Sequence, residues 1–149
     1  MSKISDIYDA LDSLISTALP AYTKLPNAYD LEENPELFLK RGYGIAIGSG
    51  ENTKRELGCR LSYLRQFTIG LIKQITTTDT NTAARVALEK AIIEDHYLVL
   101  KALENDVDLN ETSNITILPN DNGIEYLEGE TNKYFLVTIT VTSEYSENL

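Results

Sequence analysis

The sequence has few of the residues on which most enzyme and metal sites depend. It contains one cysteine, one histidine and no tryptophan among 149 residues. One cysteine excludes an internal disulfide, and the place of Cys59 on an apolar strand face predicts a buried side chain rather than a reactive thiol. His96 has acidic neighbours but no second histidine with which to share a metal. We therefore expect a structural or solvated role for it.

Long apolar runs and an excess of positive charge are also missing. No run approaches the ~18 residues of a membrane span, and the first ten residues lack an apolar signal core, which predicts synthesis in the cytosol and no membrane partner. The formal net charge of −10 argues against general binding to the nucleic-acid backbone. The charge is segregated, because residues 38–75 carry a net +5 and residues 104–149 a net −9.

Two patterns suggest ligand sites, and both are incomplete. The glycines between Gly42 and Gly50 are followed by a strand pattern, without the helix of a dinucleotide site or the Gly-Lys-Ser/Thr of a P-loop. The acidic stretch 104–111 lacks the glycine and terminal glutamate of a calcium loop. No catalytic residue, cofactor or metal is therefore predicted. A hydrolase or transferase stays open, because carboxylates distant in sequence can meet in the fold.

The segment Leu57–Ile75 alternates apolar and polar residues with a period of two, which is typical of a β-strand. A straight strand from Leu61 to Ile75 would measure about 50 Å, whereas a compact chain of this length is about 38 Å across. We expect either a bend at Gly58 or Gly70, with a bulge at Gly70, or a tip that projects toward a neighbouring subunit.

A second strand is predicted before this one, so that the two form a long hairpin from Gly42 to Ile75. The short strand Tyr43–Ile47 is followed by the turn-forming residues Gly48–Asn52. That placement puts Lys54 and Arg55 beside the hairpin tip.

Two amphipathic helices are predicted. The first runs from Lys3 to Leu19, with Ser2 as its N-cap and Pro20 as its stop. The second runs from Ala83 to Leu103 and is expected to cover the sheet with a wide apolar stripe that includes Ala87 and Leu98. Residues 21–38 are expected to form a surface connection, which includes an acidic insert, Tyr29–Glu36.

The C-terminal third is predicted to hold three strands. Two short ones, Ile115–Leu118 and Gly123–Leu127, flank a turn at residues 119–123, and a third alternates apolar residues with threonines from Phe135 to Thr142. Together these elements predict one α+β domain over residues 1–149. Its sheet is mostly antiparallel with a long β-hairpin, and two α-helices flank it on one side.

In length and element order the chain resembles the tail terminator proteins of long-tailed bacteriophages. The segments that carry the resemblance are the hairpin GYGIAIGSGENTKRELGCRLSYLRQFTIGLIKQI, the helix NTAARVALEKAIIEDHYLVLKAL and the closing strands GIEYLEGETNKYFLVTITVTSEY. The family has no catalytic signature, and the acidic insert is longer than expected for it. The resemblance implies a structural virion protein, not an enzyme, located at the head-tail junction after assembly in the host cytoplasm.

What the resemblance implies about partners is specific. Such proteins form hexameric rings that cap the tail tube and present a face for the head, so the expected partners are copies of the same chain, the tube protein and a head-completion or neck protein. Genomic DNA would pass through an acidic bore without specific binding. The expected subunit contact joins basic hairpin residues of one copy to acidic C-terminal residues of the next, with Lys54, Arg55, Arg60, Glu128 and Glu130 as candidates.

Two alternatives remain open. A head-tail joining or other neck protein would share the fold and the ring, and a small cytosolic binding module or enzyme would not assemble. The sequence leaves undecided which face of a ring would meet the head and whether rings form without a tube.

Overall fold

The structure is a computed structural model that describes residues 2–25, 41–56, 60–75, 82–106, 109, 115–128 and 133–148. Its first element is helix α1 (Lys3–Ala18). Ser2 caps the helix, since its hydroxyl accepts a hydrogen bond from the Ser5 amide at 3.3 Å. One side of α1 is buried through Ile7, Leu11 and Ile15. The predicted helix is therefore confirmed, with its end one residue earlier.

Five strands form one sheet in the described residues. They are β1 (Thr23–Lys24), β2 (Arg41–Glu56), β3 (Arg60–Ile75), β4 (Ile115–Glu128) and β5 (Lys133–Asn148). Helix α2 (Thr82–Asn105) lies between β3 and β4 in the chain. The strand order is β1-β2-β3-β5-β4, and every pair is antiparallel except β1 with β2. The predicted α+β class, with its mostly antiparallel sheet and long hairpin, is confirmed.

Strand β2 is longer than predicted, and the turn predicted at Gly48–Asn52 is wrong. The chain stays paired with β3 through this segment, with register shifts between Ile47 and Gly50 and between Asn52 and Lys54. Residues favourable to turns also suit β-bulges, because a bulge needs one residue outside the regular ladder. The glycine-rich stretch therefore disturbs the pairing locally, and the chain reverses between Glu56 and Arg60.

Strand β3 passes through Gly70 without a bulge, so that one of the predicted alternatives is wrong, and the projecting tip stays a prediction. Gly70 pairs with Gly44 on one side and Thr138 on the other, without a shift. The 16-residue strand is supported on both sides, because β5 pairs with it from Arg60 to Ile75. A strand of this length measures about 50 Å, and the neighbouring strands β2 and β5 are equally long. Gly58 lies outside the described residues.

Strand β4 replaces the two short strands that were predicted. It runs through the predicted turn at residues 119–123 with register shifts between Ile117 and Asn120 and between Asp121 and Ile124. Gly123 has φ +76°, a conformation that glycine adopts without steric cost. Strand β5 extends six residues beyond the predicted end at Thr142 because its pairing with β3 continues.

Both helices pack on the same face of the sheet, as predicted. The main core joins residues of α1 and α2 to inward-facing residues of β2, β3 and β5, among them Leu11, Val99, Ile45, Ile69 and Ile139. Helix α2 extends one residue before and two after its predicted limits. Its predicted apolar stripe is only partly right, because Ala87 and Leu98 are exposed.

Among the described residues, the second face of the sheet is buried at one end. Ile72, Leu136 and Tyr134 are buried there with Leu25. Farther along the same face, Thr138, Thr140 and Thr142 are partly buried.

Several predictions fall outside the described residues. They concern Cys59, the acidic insert Tyr29–Glu36, half of the acidic stretch 104–111 and Glu130. The predicted connection 21–38 is described only up to Leu25, and in that part it contains β1, whose two residues pair with Gly42 and Tyr43.

Candidate assembly surfaces

Three of the predicted contact residues lie close together at the end of the sheet where β2 ends and β3 begins. In the register of the hairpin, Lys54 is opposite Ser62, Arg55 is opposite Leu61 and Glu56 is opposite Arg60. The Arg60 side chain is exposed. The structure thus brings Lys54, Arg55 and Arg60 to one location, which we call the basic tip.

The sheet next to the basic tip is held in place by side-chain contacts across three strands. Arg65 of β3 donates from Nε to the Tyr145 hydroxyl of β5 at 2.9 Å and from Nη1 to the Gly48 carbonyl of β2 at 2.9 Å. The rings of Tyr63 and Tyr145 are stacked, with centroids 5.7 Å apart. These contacts fix the position of the strands that carry the tip.

Glu128 lies at the opposite end of the sheet from the basic tip. It pairs with Lys133, which itself pairs with Ile75 at the far end of β3. Its Oε1 is 4.0 Å from Lys133 Nζ, and the pair is exposed, so the ion pair contributes little to stability. Sequence reasoning grouped Glu128 with the tip residues because charge alone does not reveal position along a strand.

Besides Glu56 of β2, which pairs with Arg60, acidic residues near the basic tip lie on β5. Leu61 pairs with Glu147, and Leu64 pairs with Glu144. Glu147 also accepts a hydrogen bond from the Lys3 amide at 2.7 Å, which holds the start of α1 against this end of the sheet. Arg41, a cation that the contact prediction left out, is exposed at the other end of β2.

The two halves of the sheet carry opposite charge. The β2–β3 half has six cations and two anions, a net +4, whereas the β4–β5 half has five anions and one cation, a net −4. Because β5 pairs with β3 in the middle, the positive half ends at β2 and the negative half at β4. The sheet therefore carries net positive charge toward the β2 edge and net negative charge toward the β4 edge.

Both edges leave backbone groups unpaired within the described residues. The outer side of β2 pairs with β1 only at Gly42 and Tyr43, and β4 has β5 as its single partner strand. Open edges of this length are sites at which another strand or chain can pair.

Two hydrogen-bonded tyrosines connect the helices to the strands. Tyr43 of β2 donates to Asp12 of α1 at 2.6 Å, and Lys24 Nζ lies 3.0 Å from the same carboxylate. Burial and then the bond to Asp12 raise the pKa of Tyr43. Burial lowers the pKa of Lys24, but the bonds to Asp12 and Tyr8 outweigh it and raise that pKa overall.

The second tyrosine, Tyr22, donates to Asp95 of α2 at 2.6 Å, and Lys73 of β3 lies 3.8 Å from the same oxygen. Burial and then the bond to Asp95 raise the pKa of Tyr22. A raised pKa keeps a tyrosine protonated at neutral pH, where it is a poor base or nucleophile. These groups fasten the helices to the sheet.

His96 is 6% exposed, and its Nε2 atom has no hydrogen-bond partner among the residues that the structure describes. A buried position in the core side of α2 agrees with the structural role predicted for it. Across the described part of the chain, no three histidine, cysteine or carboxylate residues are grouped as metal ligands. His96 thus has no grouped ligands with which to hold an ion there.

A groove of about 640 Å³ lies between α1 and the end of α2. Ala10, Leu14 and Ala102 contribute apolar surface to it, and Asp6, Asp9 and Asp106 contribute carboxylates. Ser13 and Thr17 contribute hydroxyl groups, and the described part of the lining includes no cation, histidine or cysteine.

Comparison with known proteins adds no relative. The chain matches no protein-family model, and a search of curated proteins finds no significantly similar sequence. Neither described helix has the length and apolarity required to cross a membrane.

Proposed function

We propose that this chain is a structural protein of a phage tail, a tail terminator that forms a ring on the end of the tail tube. The observation that carries the proposal is the separation of charge in the sheet. The half with a net charge of +4 ends at the open edge of β2, and the half with a net charge of −4 ends at the open edge of β4. Two different surfaces that attract each other favour a head-to-tail contact, and repeated head-to-tail contacts close into a ring when the rotation allows.

The strand register indicates which charges meet in such a contact. If neighbouring sheets lie side by side without a shift, Arg41 of one copy is level with Tyr126 of the next, because Arg41 pairs with Lys73, Lys73 with Phe135 and Phe135 with Tyr126. Arg41 then lies within two residues of Glu125 and Glu128 along β4. The basic tip is level with Glu147. This arrangement replaces the pairing of the tip with Glu128.

The resemblance to tail terminators in element order supplies the biological role. In that role the ring stops growth of the tube, binds the tube protein on one face and a head-completion or neck protein on the other, and lets DNA through its centre. The excess of carboxylates favours free passage, because like charges reduce contact with phosphates. The site of action is the head-tail junction of the virion.

The role is tested by adding purified protein to tail tubes that are still elongating. A terminator should bind the tube end, stop elongation and appear as a ring in electron micrographs. A ring that binds filled heads and not tubes would identify a neck protein instead. A monomer that binds neither and takes up a small molecule would point to a binding module or enzyme.

The contribution of the basic tip is tested by a double reversal, Lys54→Glu with Arg55→Glu. Loss of two cations should weaken self-association, measured as mass in solution and as ring occupancy on tubes. The control adds one negative charge at each of two exposed helix positions outside the tip, Ser16→Glu with Ala87→Glu. If both double variants behave alike, the tip does not form the contact.

A further inference from the structure

Large apolar side chains are exposed along one flank of the molecule. Tyr97 of α2 is 59% exposed and Ile93 is 48% exposed, and Val86 of the same helix is exposed as well. Ile124 and Tyr126 of β4 are also exposed. We call these five residues the apolar flank.

The three α2 residues lie on one strip of the helix. Val86, Ile93 and Tyr97 are separated by seven and four residues, which returns each to nearly the same angle at 3.6 residues per turn. Asp95 is about 200° around the helix from Ile93. Since Asp95 bonds to Tyr22, which lies next to β1, the strip points away from β1 and toward the β4 side.

The two β4 residues lie on the same side of the sheet as the helices. Ile124 pairs with Val137 and Tyr126 pairs with Phe135, and both β5 partners are in a core cluster with Ile92 of α2. The Arg85 guanidinium of α2 is 5.7 Å from the centroid of the Tyr126 ring. Exposed apolar residues of the helix and of the edge strand therefore lie on the same side of the sheet, with the Arg85 guanidinium over the Tyr126 ring.

The opposite edge of the sheet has an apolar group of its own. Ile47 of β2 is 47% exposed and pairs with the buried Phe67, so it too lies on the helix side. Gly48 and Gly50 follow it and add no side chains to this part of the edge. The helix side of the β2 edge thus offers one projecting apolar side chain beside two glycines.

Ile47 and the α2 part of the apolar flank lie at similar positions along the strand direction. Ile47 is level with Val141, through Phe67. Helix α2 runs along β5 in this direction, because Ile92 clusters with Phe135 and Val137, and Val99 belongs to the cluster of Val141. Tyr97 is two residues before Val99, so its level on the sheet is close to that of Ile47.

We propose that the apolar flank docks the β2 edge of a second copy of this chain, with Ile47 of the incoming copy against Ile93 and Tyr97. The charge of the edge strands favours this occupant, since β4 carries three anions and no cation, whereas the β2–β3 half carries a net +4. The exposed Lys90 and Lys101 lie on the α2 strip itself, so the charge attraction comes from β4 and not from the helix. The proposal deepens the proposed function and depends on its head-to-tail contact. In this arrangement the apolar residues form the centre of the head-to-tail contact, and the charged residues of the two sheet edges lie on either side of them.

The first experiment measures self-association by sedimentation for Ile93→Glu and Tyr97→Glu. Each should weaken association at least ~30-fold, the size of an interface hot spot. The control is Ala87→Glu, which adds the same charge at an exposed site elsewhere on α2 and should change association far less. Tyr97→Ser repeats the test without added charge, and circular dichroism checks that each variant folds.

The second experiment mixes two variants that cannot assemble alone. Ile93→Glu keeps an intact β2 edge, and Ile47→Glu keeps an intact apolar flank, so a mixture should form a dimer of one copy of each and nothing larger. If the flank instead contacted the flank of another copy, Ile47→Glu would assemble by itself. That result would overturn the proposal.

The two proposals fail in different ways. A wild-type protein that stays monomeric up to ~1 mM, or an Ile93→Glu variant that associates like Ala87→Glu, overturns the docking surface even if the protein caps tail tubes. Conversely, a protein whose assembly depends on the flank but which leaves tubes uncapped keeps the surface and loses the terminator role.

Discussion

Replacement of Tyr43 by phenylalanine should lower stability at neutral pH and make the protein less sensitive to alkali. The Tyr43 hydroxyl donates to the Asp12 carboxylate at 2.6 Å. A hydrogen bond to a charged acceptor contributes about 1.5–3 kcal/mol, and the lower end applies here because Asp12 keeps Lys24 as a partner. We therefore expect Tyr43→Phe to reduce the free energy of unfolding by about 1.5 kcal/mol at pH 8.

The difference should disappear in alkali. In the folded protein the pKa of Tyr43 is raised, whereas the unfolded chain has the ordinary value of 10.0. Below that value the contribution is fully present. Above it, the unfolded state loses the proton and the folded state keeps it, so the free energy of unfolding falls by about 1.4 kcal/mol per pH unit. The wild type and the variant should therefore become equally stable near pH ~11.

Urea unfolding, followed by circular dichroism between about pH 8 and pH 11.5, measures this convergence. Tyr22→Phe should behave in the same way, because burial and Asp95 raise the pKa of Tyr22. Ile139→Val is the control: it should cost about 1 kcal/mol at every pH, since it removes a buried methyl group and no ionisable one. If the curve of Tyr43→Phe also ran parallel to that of the wild type, the assignment of the raised pKa would be refuted.

Three further substitutions test local features by the same unfolding measurement. Ser2→Ala should cost about 1 kcal/mol because it removes the cap of α1, and an unchanged stability would contradict the cap. His96→Leu should be neutral or stabilising by up to ~1 kcal/mol, because it removes a buried nitrogen without a partner; a clear loss would reveal an essential contact. Gly50→Ala should cost about 1–2 kcal/mol, since its Cβ would lie 2.6 Å from Arg65 Nη2 and displace the guanidinium from Tyr145; no loss would show that Arg65 adjusts freely.

The helices were predictable because their signals are local. Ser2, Pro20 and the spacing of Ile7, Leu11 and Ile15 all lie within the helix or next to it, so the sequence indicated both ends of α1 closely. The long β3 strand was predictable for the same reason, since its alternation spans the whole element.

The lengths of β2 and β4 were not predictable because pairing with a partner strand decided them. Gly48–Asn52 and residues 119–123 favour turns locally, yet β3 and β5 continue alongside them and keep the chain extended through bulges. A propensity calculated from neighbours in sequence takes no account of hydrogen bonds to a distant strand.

The candidate surfaces were also only partly predictable from the sequence. Segregated charge was visible in the sequence, but the separation of Glu128 from the basic tip depends on the register of β4 with β5. The exposure of Ile93 and Tyr97 was hidden as well, because the apolar residues of α2 extend around much of the helix and only tertiary packing selects which of them are buried.

The account depends most on the claim that copies of this chain join side by side through opposite edges of the sheet. Electron cryomicroscopy of the protein bound to tail tubes measures this directly. We expect a closed ring in which β4 and α2 of each copy face β2 of the next, with Arg41 level with Tyr126 and between Glu125 and Glu128. Tube ends that remain bare, or a ring in which both edges of every sheet are free, would contradict the claim.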